Sequence, residues 1–151
     1  MASLAPHVSR VAKDYAPHGY SIYEDVVIQF GLLSATTEDV PILYAEDSDY
    51  YIEKVSLCSS VLQAVAADRW ELVLVNAGAA GTGTTDVVIW TNETGEYGAT
   101  ALAPNVYLET PFEPGVSQIL GNGESLKASF TKGSSGVSAH FTLQIRYRRK
   151  A

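Results

Sequence analysis

From Val137 to Tyr147 every second residue is apolar or aromatic: Val137, Ala139, Phe141, Leu143, Ile145 and Tyr147. Between them stand Ser138, His140, Thr142, Gln144 and Arg146. Side chains of a strand point alternately to its two faces, so this period of two predicts a long β-strand with one buried face and one wet face. A second stretch carries the same pattern, with Leu126, Ala128 and Phe130 on one face and Ser125, Lys127 and Ser129 on the other. It is expected to be the partner of the last strand. A one-residue slip would turn Phe130 and Phe141 out to water, so the pairing should be well specified.

Upstream, β-prone runs recur between turn residues. "YSIYEDVVIQFGLL" begins at Tyr20, "VPILY" is short with a proline suited to an edge, and "YYIEKVSLCSSVLQAV" is longer. Its tail, Val61 to Ala67, could instead form one helical turn. "RWELVLVN" and "TDVVIWTN" flank a small-residue loop, and "NVYLETPF" leads into the turn "EPG". Asn122-Gly123 is a hairpin signal, because type I′ turns need positive φ. About eight strands without a helical period make an all-β chain: an antiparallel two-sheet β-sandwich, jelly-roll-like, with an immunoglobulin-like sandwich as the competitor. Residues 20–151 form the sandwich domain. Residues 1–19, punctuated by Pro6, Pro17 and Gly19, read as an extended N-terminal arm, with a short helical turn possible from Ser9 to Tyr15.

A chain of 151 residues buries roughly 68–70% of its unfolded surface, enough for a core without disulfides or structural metal. Cys58 is the only cysteine; its apolar neighbours suggest a buried thiol. No apolar run approaches the roughly 18 residues that cross a bilayer, and the N-terminus lacks the apolar core of a secretory signal. The chain is therefore expected to be made and kept, or assembled, in a cytoplasm, without membrane contact. Seventeen acids against ten bases argue against nucleic acid, whose phosphates need a basic footprint.

No motif identifies a reaction. "GAAGTGTT" (Gly78 to Thr85) has glycines placed like a phosphate loop, but Thr84 stands where the lysine belongs and a strand follows where a helix is needed. Glu46, Asp47, Asp49 and Glu53 are close enough in sequence to suggest calcium, yet lack the glycine turn and terminal glutamate of an EF-hand. Carboxylates on two strands could meet as a glycosidase pair, but no spacing selects one. His7, His18 and His140 have no metal-ligand spacing. Asn92-Glu93-Thr94 matches a glycosylation acceptor, expected to be accidental without a secretory signal. The reading is therefore of a non-enzyme, with no catalytic, cofactor or metal residue singled out. Nine tyrosines, among them Tyr20, Tyr23, Tyr50 and Tyr51, suit interfaces or, with Trp90, a sugar-binding face.

Arg146, Arg148, Arg149 and Lys150 gather four of the ten bases at one end. Arginine forms planar bidentate pairs that favour interfaces. With Arg10 and Lys13 on the arm, these are the candidate partner-binding residues, docking either on the acidic flank of another copy or on an acidic shell.

The run from Arg69 to Tyr147 resembles the β-sandwich accessory proteins of tailed-bacteriophage particles, the head decoration or cement proteins. "RWELVLVNAGAAGTGTTDVVIWTN", "PNVYLETPFEPGVSQILGNGESLKASF" and the polar–apolar final strand carry the resemblance. It covers about half of the chain and lies in texture: a strand ending in asparagine, a small-residue loop, a Pro-Gly turn, and Leu-x-Ala after the Asn-Gly turn. It implies a homo-oligomer, commonly a trimer, bound to the major capsid protein on the virion surface and assembled in the host cytoplasm. The N-terminal arm is similar to arms that reach neighbouring subunits. The alternative is a tail or baseplate accessory protein, or a host-glycan-binding sandwich module.

Overall fold

The structure, a computed structural model, describes residues 23–37, 39–96 and 99–150. The N-terminal arm of residues 1–19, with Arg10 and Lys13, lies outside the described residues. Nine strands follow one another: β1 (Glu24–Leu33), β2 (Val40–Tyr44), β3 (Tyr50–Ser59), β4 (Trp70–Gly78), β5 (Thr85–Thr91), β6 (Leu108–Glu109), β7 (Ile119–Leu120), β8 (Ser125–Lys132) and β9 (Ala139–Arg149). No helix forms among the described residues. Val61 to Ala67, where one helical turn was an option, is irregular, with bridges from Gln63 to Leu102 and from Ala66 to Glu93.

The strands make two antiparallel sheets packed as a sandwich. The first has the order β1-β9-β3-β6, with β7 also pairing β3; the second has the order β2-β8-β4-β5. In β9, buried residues alternate with half-buried ones from Phe141 to Arg148, as its period of two requires. Pro41 sits in β2, an edge strand, where its missing N–H removes no bond from the sheet interior.

Two expectations about pairing need correction. β8 is not the hydrogen-bonded partner of β9; it lies between β2 and β4, while β9 lies between β1 and β3. The two strands face each other across the core instead, with the Phe130 and Phe141 rings 4.8 Å apart. Alternation reveals which side chains are dry, and it is satisfied equally by a neighbour within a sheet and by one opposite. The Asn122-Gly123 turn likewise joins no hairpin. Gly123 has the expected positive φ of 85°, but β7 pairs with β3 and β8 belongs to the other sheet. The turn is a corner between sheets, held by bonds from the Gly123 N–H to the Ala45 carbonyl (2.7 Å) and from the Gly121 N–H to the Glu124 carboxylate (2.7 Å).

The core is an aromatic cluster between the sheets. Trp70 meets Phe141 edge-on at 5.2 Å, and Phe30 meets Phe130 at 5.0 Å. Burying two tryptophans requires partners for their indole N–H groups. Trp70 donates to the Val137 carbonyl (2.8 Å) and Trp90 to the Thr100 carbonyl (3.1 Å). The first bond needs the β8–β9 loop drawn tightly over Trp70. Gly133 permits this, since a Cβ there would lie 2.5 Å from the Asp68 carbonyl oxygen. Phe141→Ala should therefore lose about 3–5 kcal/mol of stability through the cavity left between the sheets, read as a lower urea midpoint with an unchanged slope.

Candidate interaction surfaces

β9 runs the length of the first sheet and delivers its cations to one end. The strands on either side deliver acids to the same place. Register sets Asp25 of β1 and Lys54 of β3 opposite Arg146. A bulge between Ile52 and Lys54 brings Glu53 to the wet face beside Lys54. Arg146 grips Asp25 with two bonds, Nε to Oδ1 at 2.9 Å and Nη2 to Oδ2 at 3.1 Å. Arg148 binds Glu53 (Nε to Oε2, 3.0 Å) and Arg149 binds Glu24 (Nε to Oε2, 2.6 Å).

Aromatic rings complete the set. The Arg146 guanidinium lies 3.9 Å from the Tyr23 ring centre, and Arg149 lies 5.3 Å from that of Tyr50. The hydrogen bond from Arg146 holds the Asp25 carboxyl below its ordinary range. Three of the candidate partner-binding residues are thus engaged by their own chain. Lys150 is exposed, and its backbone N–H donates to the Asp49 carbonyl at 2.9 Å.

The opposite end of the sandwich exposes a group of apolar side chains. Three loops meet there: β3–β4, β5–β6 and β8–β9. The Asn105 N–H donates to the Ser59 carbonyl (2.8 Å), and the Ser60 N–H donates to the His140 carbonyl (2.9 Å). The Gln63 amide donates to the Val137 carbonyl (3.1 Å). This bracing holds Val61, Leu62, Val65, Val106, Tyr107 and Val137 outward, Leu62 at 51% and Val106 at 56% exposure. Contiguous exposed apolar surface on a folded domain marks a contact site. Sequence reasoning missed it, because its residues lie in three loops far apart along the chain.

A third feature lies on the outer face of the second sheet. Glu71, Glu96 and Glu113 rim a cavity of about 160 Å³ floored by Ile89, Phe112 and Pro111. Burial, then repulsion from Glu96, Glu93 and Asp86, pushes the Glu71 carboxyl up. The cavity is smaller than the roughly 300 Å³ of the least small-molecule sites.

The remaining sequence candidates disperse. Glu53 is taken by Arg148, and the Asp49 carboxylate accepts the Asn122 N–H at 2.8 Å. Among the described residues no three His, Cys, Asp or Glu side chains are placed to hold a metal ion. Gly78 to Thr85 closes the β4–β5 connection, with the Gly83 N–H turned onto the Ala77 carbonyl at 2.7 Å. Asn92 is fully buried, accepting from the Trp70 N–H (2.9 Å) and donating to the Ala64 carbonyl (3.0 Å), so the folded acceptor motif presents no free amide. Trp90 is 1% exposed and Tyr50 stacks on Tyr147 inside the core, so neither offers a face to a sugar. Cys58 was expected to be buried; it is half-buried on the wet face of β3, and desolvation raises its thiol pKa.

Comparison with protein-family models, curated proteins and solved structures finds no match.

Two titrations test the charges. Glu71 has a raised folded pKa, so its favourable contribution is complete below the ordinary glutamate range and is lost as pH rises through the folded value. Glu71→Gln should stabilise the fold by less than about 1 kcal/mol at about pH 7, and this gain should vanish at about pH 3. Asp25 is depressed, so its pair contributes above the ordinary aspartate range and fails as pH falls through the folded value. Arg146→Gln should weaken the fold slightly near neutrality and progressively less as pH falls below the ordinary aspartate range. Denaturant midpoints at the two pH values read both.

Proposed function

We propose that the chain is a structural virion protein, a bacteriophage capsid decoration or cement protein. It would bind the major capsid protein at the head surface and stabilise the lattice, acting as a homo-oligomer and without catalysis. The jelly-roll reading belongs to the same proposal. Consecutive strands pass between the two sheets, except at β4–β5 and β6–β7, so that β1, β9, β3 and β6 face β2, β8, β4 and β5, an order that supports two Greek keys wound together.

The observation that carries the proposal is the apolar end. Val61, Leu62, Val65, Val106 and Tyr107 stand out on braced loops while the arginines are occupied at the other end. Rigid loops presenting apolar side chains suit a protein that seats on a larger shell. There, several copies attached together hold the shell without any single tight contact. In this arrangement the residues 1–19 arm, with Arg10 and Lys13, would reach neighbouring capsid subunits, and the charged end would face outward.

Leu62→Asp combined with Val106→Asp places charge at the centre of this end without touching the core. Co-sedimentation with purified particles of the parent phage should fall to background, while the thermal midpoint stays at the wild-type value. Full occupancy by the double variant would remove the apolar end from consideration. Replacing Arg146, Arg148 and Arg149 together by Gln should leave particle binding intact and lower stability instead, since those side chains are already paired.

A further inference from the structure

The two sheets have four edges, and three are blunted. β2 is five residues long, carries Pro41 and is interrupted by a bulge. β6 is two residues long. β5 is covered where Phe112 bridges Val88 and the Glu113 N–H donates to the Val87 carbonyl at 2.9 Å. β1 is different. It is ten residues long, contains no proline, lysine or arginine, and among the described residues nothing pairs with its outer edge. Val27 on its wet face is 53% exposed, and Val26 and Ile28 on its inner face are only partly buried against the core. Short strands, prolines, cations, bulges and covering segments are how edges avoid pairing. β1 has only a bulge near its far end, between Phe30 and Leu32, which leaves Glu24 to Phe30 available for pairing.

We infer that β1 pairs antiparallel with β1 of a second copy about a two-fold axis through Val27, joining the two five-stranded sheets into one. The occupant follows from the strand's own sequence, which is complementary to itself in that register except where Glu24, held by Arg149, faces Phe30. Val27 faces Val27 of the other copy. Val26 faces Ile28 on the inner side, extending the partly buried apolar row across the axis. Asp25 faces Gln29, an acid opposite an amide rather than another acid. Tyr23, whose ring rests on Arg146 of its own chain, faces Gly31, so its bulk meets no side chain. The bulge between Phe30 and Leu32 ends the pairing as far from Val27 on one side as Tyr23 lies on the other.

Charge agrees with the geometry. Glu24 and Asp25, the only ionised groups on β1, are held by Arg149 and Arg146, so the edge approaches its copy without a net like-charge penalty. The contact is isologous and generates dimers or multiples of dimers, unlike the trimer that the phage resemblance implies. It does not depend on the capsid reading.

Sedimentation velocity of the full chain over a dilution series tests this. The wild type should pass from monomer to dimer, and Val27→Lys, which sets two cations face to face across the axis, should weaken the dimer by at least about tenfold. Because Val27 is exposed, the variant should melt with the wild type at dilutions where the wild type is monomeric; a lower melting point there would move the test to the cross-link. In a Cys58→Ser background, Val27→Cys should form a disulfide-linked dimer on mild oxidation, and Gln29→Cys, which faces Asp25 instead of itself, should not. A wild type that stays monomeric, an oligomer indifferent to Val27→Lys, or equal cross-linking at both positions would overturn the inference.

Discussion

Each sheet of this protein has one dry face, and neither face can be covered except by the other. That mutual dependence governs everything else. The inner rows of β9 and β8 meet through Phe141 and Phe130, with Trp70 of β4 wedged against both rings at 5.2 and 6.1 Å. Interiors pack at the density of organic crystals, so rings this close fix the separation and alignment of the sheets. The loops then have to follow. Trp70 needs an acceptor for its N–H, the Val137 carbonyl supplies it, and Gly133 lets the loop reach. The braced apolar end is in this sense a product of burying Trp70.

Much of this was legible in the chain. Period-two alternation named the buried residues of β8 and β9, from Leu126 to Phe130 and from Ala139 to Tyr147, but also counted Val137, which lies in the loop before β9 and is exposed. The spacing of Gly, Pro and Asn gave the number of strands closely. What alternation cannot convey is pairing. Phe130 and Phe141 satisfy the same pattern whether they are neighbours along one sheet or opposed across the core, and an Asn-Gly turn bends the chain alike at a hairpin and at a corner. Strand partners depend on loop closure over long sequence distances. Here β9 lies between β1, more than a hundred residues upstream, and β3, and no local signal records that.

The surface was less legible than the core, for the same reason. The cationic end suggested a partner because Arg146, Arg148 and Arg149 stand together in sequence, while Glu24, Asp25 and Glu53 stand far away. Only the register of β1 and β3 against β9 brings them within 3.0 Å. Exposed ion pairs contribute little stability each, so their larger effect is to neutralise one end. The apolar end was invisible for the converse reason: Leu62, Val106 and Val137 sit in runs that read as strands, and only the fold places them in three converging loops.

This internal pairing also decides where the excess acid lies. With Glu24, Asp25, Glu53 and Glu109 answered by Arg149, Arg146, Arg148 and Lys54, the outer face of the first sheet is close to neutral. Glu71, Glu93, Glu96, Glu113 and Asp86 of the second sheet and its loops have no ion pair among the described residues, and Glu71 is pushed up by burial and then by three of the others. The molecule is therefore charged on one flank and neutral on the other, and long-range repulsion between copies is weakest along the neutral flank. β1 lies on that flank with its edge open, so the acids that limit approach elsewhere leave this direction free.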